Sequence, residues 1–288
     1  ALVRYLDFMD SYLAPGETCH PSDNLAAVLA AAEHEGAGGD DLLAALAAAY
    51  TVHVRLSDEA PVRAHGFDHT TQGAFAAAVG AARALGLNPE ATANAVAIAG
   101  TANVALRVTR TGSLSHWKGL AYPHAAFNAV HAALLARQGV TGPAEVFEGE
   151  KGLADSIAGP FDIDWPSEDL DAVRRTILKK HNAEIHSQSA IDAVLELKAE
   201  HAIDPAEVDA IHVETFDAAY HIIGGGEEGE KTDVTTKEQA DHSLPYILAV
   251  ALLDGEVWPA QYAPARIAAD DVQQLLATAD AEHGQVAV

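Results

Sequence analysis

Five short stretches bring together residue types that move protons or hold anions. LDFMDSYLAPGETCHPSDN, residues 6–24, sets Asp7, Ser11, Cys19 and His20 among the turn formers Pro15, Gly16 and Pro21. HGFDHTTQG, residues 65–73, places His65, Asp68, His69, Thr70 and Thr71 just ahead of an apolar helix. Orphan N–H groups and the helix dipole favour an anion there, and the same residues also suit a plain helix cap. SLSHWKGLAYPHA carries Lys118 in apolar surroundings between His116 and His124. A buried Lys with no acid nearby in sequence is either paired through the fold or holds an anion. ILKKHNAEIHSQSAI gathers Lys179, Lys180, His181 and His186 at the start of a helix, the densest positive site in the chain, fit to draw a carboxylate or phosphate. DHSLPYILAV puts Tyr246 four residues after His242, one turn apart if the helix is continuous, as a site donor or as a core Tyr with a satisfied hydroxyl.

Other chemistries find little support. There is no HExxH, Walker loop, GxSxG or GxGxxG ahead of a helix. A single Cys allows no internal disulfide and no thiolate zinc site. The 15 His show no pair with a carboxylate at ligand spacing, so neither a metal nor a cofactor is expected.

Charge narrows the partners. Forty-two acids against 17 bases give a formal net charge of -25, which repels a phosphate backbone and makes nucleic acid an improbable partner. An acidic, Lys-poor surface over Ala-rich apolar content matches the solvation of proteins in high salt, where screening shortens the reach of self-repulsion. No run of about 18 apolar residues is present, so no membrane span is expected. The start of the chain has no signal-peptide pattern, and a reducing cytoplasm is the simplest setting. It also begins in mid-pattern without an initiator Met, which suggests a piece of something longer.

The elements that must position these residues are mostly helices. NLAAVLAAAEHEG, GDDLLAALAAAYTVHVRL, TTQGAFAAAVGAARALGL, NPEATANAVAIAGTAN and PHAAFNAVHAALLARQG begin near Asn, Asp, Thr or Pro, and most end near Gly. Several are apolar nearly all round, as inside a bundle. Near residue 160 the character changes. SQSAIDAVLELKAEH reads as another helix, VDAIHVETF alternates as a strand, and GGGEEGEK as a loop. TTKEQADHSLPYILAVALLDG reads as one long helix with a Thr cap and a kink or break at Pro245. The expected fold class is mostly α, with a large all-helical domain over 1–170 and a smaller α+β domain over 171–288.

The segments together resemble the MmgE/PrpD family. The likeness rests on LDFMDSYLAPGETCHPSDN, HGFDHTTQGAFAAAVGAARALGL, the Lys of HWKGLAYPHAA, FEGEKGL, LKKHNAEIHSQSAIDAV and HSLPYILAVALLDG, in family order along nearly the whole chain. It implies a helical domain and an α+β lid with the active site in the cleft between them, and a chain shortened at both ends relative to the family. It implies a metal-independent lyase removing water from a small tricarboxylate such as 2-methylcitrate, with decarboxylation or epimerisation as family alternatives and a non-catalytic carboxylate-binding paralogue as the reading from another class. Carried over by position, Asp7, His20, His69, His186 and Tyr246 are catalytic, with Asp7 orienting a His. Ser11, Lys118, Lys179 and Lys180 bind substrate, Asp68 competes with His69 for one position, and which of the two adjacent Lys is used stays open. Ser22 or Asp23 is expected to cap the next helix, and a homodimer is expected.

Overall fold

Helix boundaries follow residues able to satisfy end groups. The Asn88 side chain accepts the Ala91 N–H at 2.8 Å and Pro89 takes the first helical position, because Pro lacks the N–H that position leaves unused. Gly36, at φ 66°, closes the second helix in the left-handed conformation that favours Gly. The computed structural model describes residues 1–226, 228–277, 281–282 and 285–287. The order along the chain is α1 (Leu2–Tyr5), β1 (Tyr12–Ala14), β2 (Glu17–Cys19), α2 (Leu25–Glu35), α3 (Gly39–Glu59), α4 (Thr70–Ala84), α5 (Pro89–Ala102), α6 (Trp117–Arg137), α7 (Gln188–His201), β3 (His212–Glu214), α8 (Asp217–Ile223), α9 (Lys237–Ala240), α10 (Leu244–Asp254), α11 (Pro264–Ile267), α12 (Asp270–Ala277), β4 (Ala281–Glu282) and β5 (Gln285–Ala287). The fold is mostly helical, and no helix among the described residues is long and apolar enough to cross a membrane.

The chain forms two units that are not consecutive in sequence. One comprises residues 1, 9–109 and 120–178; the other comprises 2–8, 110–119 and 179–288. In the first, α4 packs against α2, α3 and α5, and nearly every residue of Thr70–Ala84 is buried. Ala45, Ala49, Ala81, Ala82 and Ala133 fill the contacts, so helix backbones approach closely. The acidic opening stretch becomes a hairpin, with Tyr12 opposite Cys19 and Gly16 at φ 79° in its turn. Ser22 does not cap α2. Its N–H donates to Asp10 Oδ1 at 2.9 Å and its Oγ accepts the Asp10 N–H at 3.1 Å, which ties the hairpin's two ends together.

In the second unit, α10 is buried along Leu244–Leu252, with α7 and α12 against it. β3 pairs antiparallel with β5, and β5 with β4. The expected long helix is two helices. Thr236 and Gln239 form a capping box for α9, the chain leaves helical pairing at 241–243, and Ser243 Oγ accepts the Tyr246 N–H at 3.0 Å to start α10. Pro245 sits in the first turn of α10, where its missing N–H leaves no gap. α6 also departs from expectation: it starts at Trp117 and carries Pro123 inside it, rather than starting at Pro123.

Candidate active site

In the first unit the hairpin, α3, α4 and α6 bring a row of imidazoles together. His20 Nδ1 lies 2.7 Å from the Asp10 carbonyl and 3.1 Å from Ser11 Oγ. A carbonyl only accepts, so Nδ1 carries the proton and Nε2 is the lone-pair nitrogen. The His20 ring meets His69 edge-on at 5.1 Å, and His69 stacks with His53 at 6.3 Å and with Tyr122 at 6.2 Å. Tyr122 donates to Asn24 Oδ1 at 2.7 Å, so the row is braced at its far end. His69, His53, Ser11, Asn24 and Tyr122 are all buried. Asp68 accepts the Thr70 N–H at 3.1 Å and lies 3.8 Å from Arg107, which leaves the ring of His69, not Asp68, in the row. Burial pushes the Cys19 thiol well up, so it stays protonated and inert.

The second unit holds a cluster of ammonium and carboxylate groups. Asp7 has φ 56°, a left-handed conformation that Asp tolerates, and both its carbonyl and its carboxylate face Lys179, whose Nζ donates to them at 2.6 and 2.9 Å. Lys118, in the first turn of α6, donates to Asp241 Oδ1 at 2.8 Å and meets His242 Nδ1 at 2.7 Å. The same Nδ1 lies 2.8 Å from Asp241 Oδ1, so it accepts from the ammonium in one tautomer and donates to the carboxylate in the other. Lys237, one turn before Asp241 on α9, donates to Asp241 Oδ2 and to the Tyr5 carbonyl. Burial raises the Asp7 carboxyl, but Lys179, Lys118 and His242 outweigh it and hold it well below the usual range. Asp241 is likewise held low against burial by Lys118 and His242. Burial and Lys118 together lower His242 to about 4, so it is neutral at physiological pH. Burial also lowers Lys118, opposed by Asp241 and Asp7.

Ligand atoms of Asp7, Asp241 and His242 lie within 4.8 Å of one another, near enough to hold a cation. Lys118, Lys179 and Lys237 already sit on those oxygens, and three ammonium groups oppose a metal there. Near the same cluster, Glu184 Oε2 accepts the His186 N–H at 2.6 Å and Oε1 lies 3.9 Å from His186 Nε2. Burial lifts Glu184 to about 7, despite Lys179 and the backbone hydrogen bond.

Two expected members lie elsewhere. Lys180 is exposed and donates to Asp192 at 2.7 Å, while the adjacent Lys179 is turned onto Asp7. Tyr246 lies in the α10 core and its hydroxyl donates to the Gln261 carbonyl. The hydroxyl of Tyr262 is buried with no hydrogen-bond partner among the described residues, and its phenol is raised by burial and then by Asp241 and Asp7. Asp7 pairs with Lys179 and, among the described residues, makes no hydrogen bond to an imidazole.

Residues 1–166 match the MmgE/PrpD N-terminal domain and residues 181–284 the MmgE/PrpD C-terminal domain. The chain belongs to the MmgE/PrpD family. It is similar to 2-methylcitrate dehydratase of Cupriavidus necator (32% identity over 94% of this chain and 58% of that one) and of Escherichia coli K12 (28% over 91% and 56%). It is also similar to the probable 2-methylcitrate dehydratase of Saccharomyces cerevisiae, at 28% over 91% of this chain and 54% of that one. The chain thus spans a little over half the length of these relatives. In this MmgE/PrpD chain, His53, Asn24, Tyr122, Asp241, Lys237 and Tyr262 join the expected groups without having been singled out. The signal for Asp241 was the Thr-x-x-Gln capping pattern followed by Ser-Leu-Pro, two helix starts seven residues apart that leave a break between them.

Proposed function

We propose that this MmgE/PrpD chain eliminates water from a small tricarboxylate such as 2-methylcitrate or citrate, without a metal. The observation that carries the reading is the ammonium cluster. In a chain of net charge -25, three buried or nearly buried Lys gather on two carboxylates, leaving a positive excess suited to a polycarboxylate. The names of the relatives support the reaction class.

Elimination breaks a C–H bond α to a carboxylate and a C–O bond on the neighbouring carbon, and the pair left by the proton becomes the new C=C. Lys118 and Lys179 offset the charge that builds on the carboxylate. His20, its Nδ1–H fixed on Asp10, offers Nε2 as the base, with His69 as the other imidazole able to take the proton. His186, set by Glu184, supplies the proton that leaves with the hydroxyl. The test is to incubate the protein with 2-methylcitrate, citrate and cis-aconitate, with and without chelator, following the unsaturated product and CO₂. Loss of water unaffected by chelator, and abolished in His20→Ala or His69→Ala with helical CD intact, is expected. CO₂ release points to decarboxylation, loss on chelation overturns the metal-free claim, and no turnover of any substrate favours a non-catalytic carboxylate binder.

The protein is also proposed to pair with a second copy through α6. Leu120, Phe127 and Leu134 are exposed at seven-residue spacing on one face, and α6 contains no Asp or Glu. Two chains of such negative charge need a face free of carboxylates in order to meet. Sedimentation in molar KCl should give twice the chain mass, falling to one chain in Phe127→Glu; a single chain mass for the unaltered protein sinks the proposal.

A further inference from the structure

Gly229, Glu230 and Lys231, at the end of the segment read as a loop, line a cavity of about 270 Å³ in the second unit, together with Gly112, Ser113, Leu114 and Gln239. Lys231 lines this cavity and is 7% exposed. Its ammonium has no hydrogen bond or ion pair with any described residue; only its backbone groups are engaged, the N–H with Glu230 and the carbonyl with Ser243. The side chain is largely buried but its ammonium makes no direct pair, the carboxylates of Glu228, Glu184 and Asp241 acting on it only from beyond ion-pair distance, and the cavity it lines says where an anion could sit. Gly112, Ser113 and Leu114 line the same cavity. The N–H groups of residues 112–114 form no backbone hydrogen bonds among the described residues, so they are available to a ligand, and Gly112 turns the chain there at φ 65°.

We propose that this cavity binds one small carboxylate, held by the Lys231 ammonium and the amides of 112–114. The two acids on the rim set the charge class. Glu230 is exposed and turned onto the loop, accepting from Lys231 N and Thr232 N at 2.8 Å and from Thr232 Oγ1 at 2.7 Å, and Asp233 is exposed. Water screens both, so they do not neutralise a buried Lys, yet they weigh against a multiply charged phosphate and favour a singly charged group. Burial lowers the Lys231 amine while Glu228, Glu184 and Asp241 raise it, and a bound carboxylate adds to the raising side.

The carboxylate could be one arm of the substrate or a separate small acid, and one experiment covers both. The protein carries ¹³Cε-labelled Lys, the Lys231 resonance is assigned by its loss in Lys231→Met, and sodium acetate is titrated against sodium chloride at equal ionic strength. A saturable shift of the Lys231 resonance with acetate and not chloride is expected. If 2-methylcitrate displaces acetate, and Lys231→Met raises KM about tenfold or more with little change in kcat, the site takes a substrate arm. If acetate still binds in saturating 2-methylcitrate, it is a separate small-acid site. A Lys231 resonance that responds alike to acetate and chloride overturns the proposal. Only the choice of competitor rests on the dehydratase reading, because acetate binding is read without turnover.

Discussion

Glu184 is the residue whose chemistry is most sensitive to its surroundings. Its carboxyl is lifted from an ordinary 4.5 to about 7. Below 4.5 it is protonated whether the chain is folded or not, and burial costs nothing. Between 4.5 and 7 only the unfolded chain gives up its proton, so stability falls as pH rises, and above 7 the cost is complete. Glu184→Gln should therefore unfold at a higher temperature than the parent at pH 8, by at most about 3 kcal/mol in stability, and show little difference at pH 4.5. Equal melting curves at both pH values would remove the argument. The same variant should lose the pH dependence of turnover that an acid near 7 imposes on His186. Lys118 and the segment around His69 stood out in the sequence because polar groups beside apolar helices cost free energy unless paired, whereas Asp7 was singled out only through the family resemblance. The choice between Lys179 and Lys180 was not legible, because adjacent residues share every sequence neighbour and differ only in the side of the chain they face.

The helices of the first unit were readable from their caps and Ala content, and the same Ala content explains a sensitivity to small changes. Gly80 on α4 sits where a Cβ would lie 2.5 Å from Val28 Cγ2 and 2.9 Å from Ala49 Cβ. Ala is the better helix former by about 1 kcal/mol, but packing overrides propensity at such distances. Gly80→Ala should destabilise by about 1–3 kcal/mol in urea unfolding; a stabilised variant would show that α2 and α3 can move apart freely. The opening hairpin was not legible, since β1 and β2 are only three residues each and alternation over so short a span carries no periodic signal. The break between α9 and α10 was hidden for a different reason. Pro245 drew attention to itself, while the chain turns earlier, at 241–243, where two caps compete for the same short segment.

At the scale of the whole molecule the charge dominates. With a net charge of -25, self-repulsion in the folded state should ease as the Debye length falls from about 10 Å at 0.1 M salt to about 3 Å at 1 M. The unfolding temperature should rise steadily with KCl over that range, and a flat or falling response would sink the high-salt reading. The sequence pattern placed the change of character near residue 160, but it could not assign residues 2–8 and 110–119 to the unit built from the end of the chain, because no local signal records a long-range partner. That interleaving has a consequence for synthesis. Lys118 and Asp7 leave the ribosome long before Lys179 and Asp241 exist. Until then each lacks the partner it pairs with directly, and large loops must close before either pair is made. The ion cluster is thus among the last parts of the chain able to form, and a nascent chain stalled before residue 241 should remain open to protease at 2–8 and 110–119.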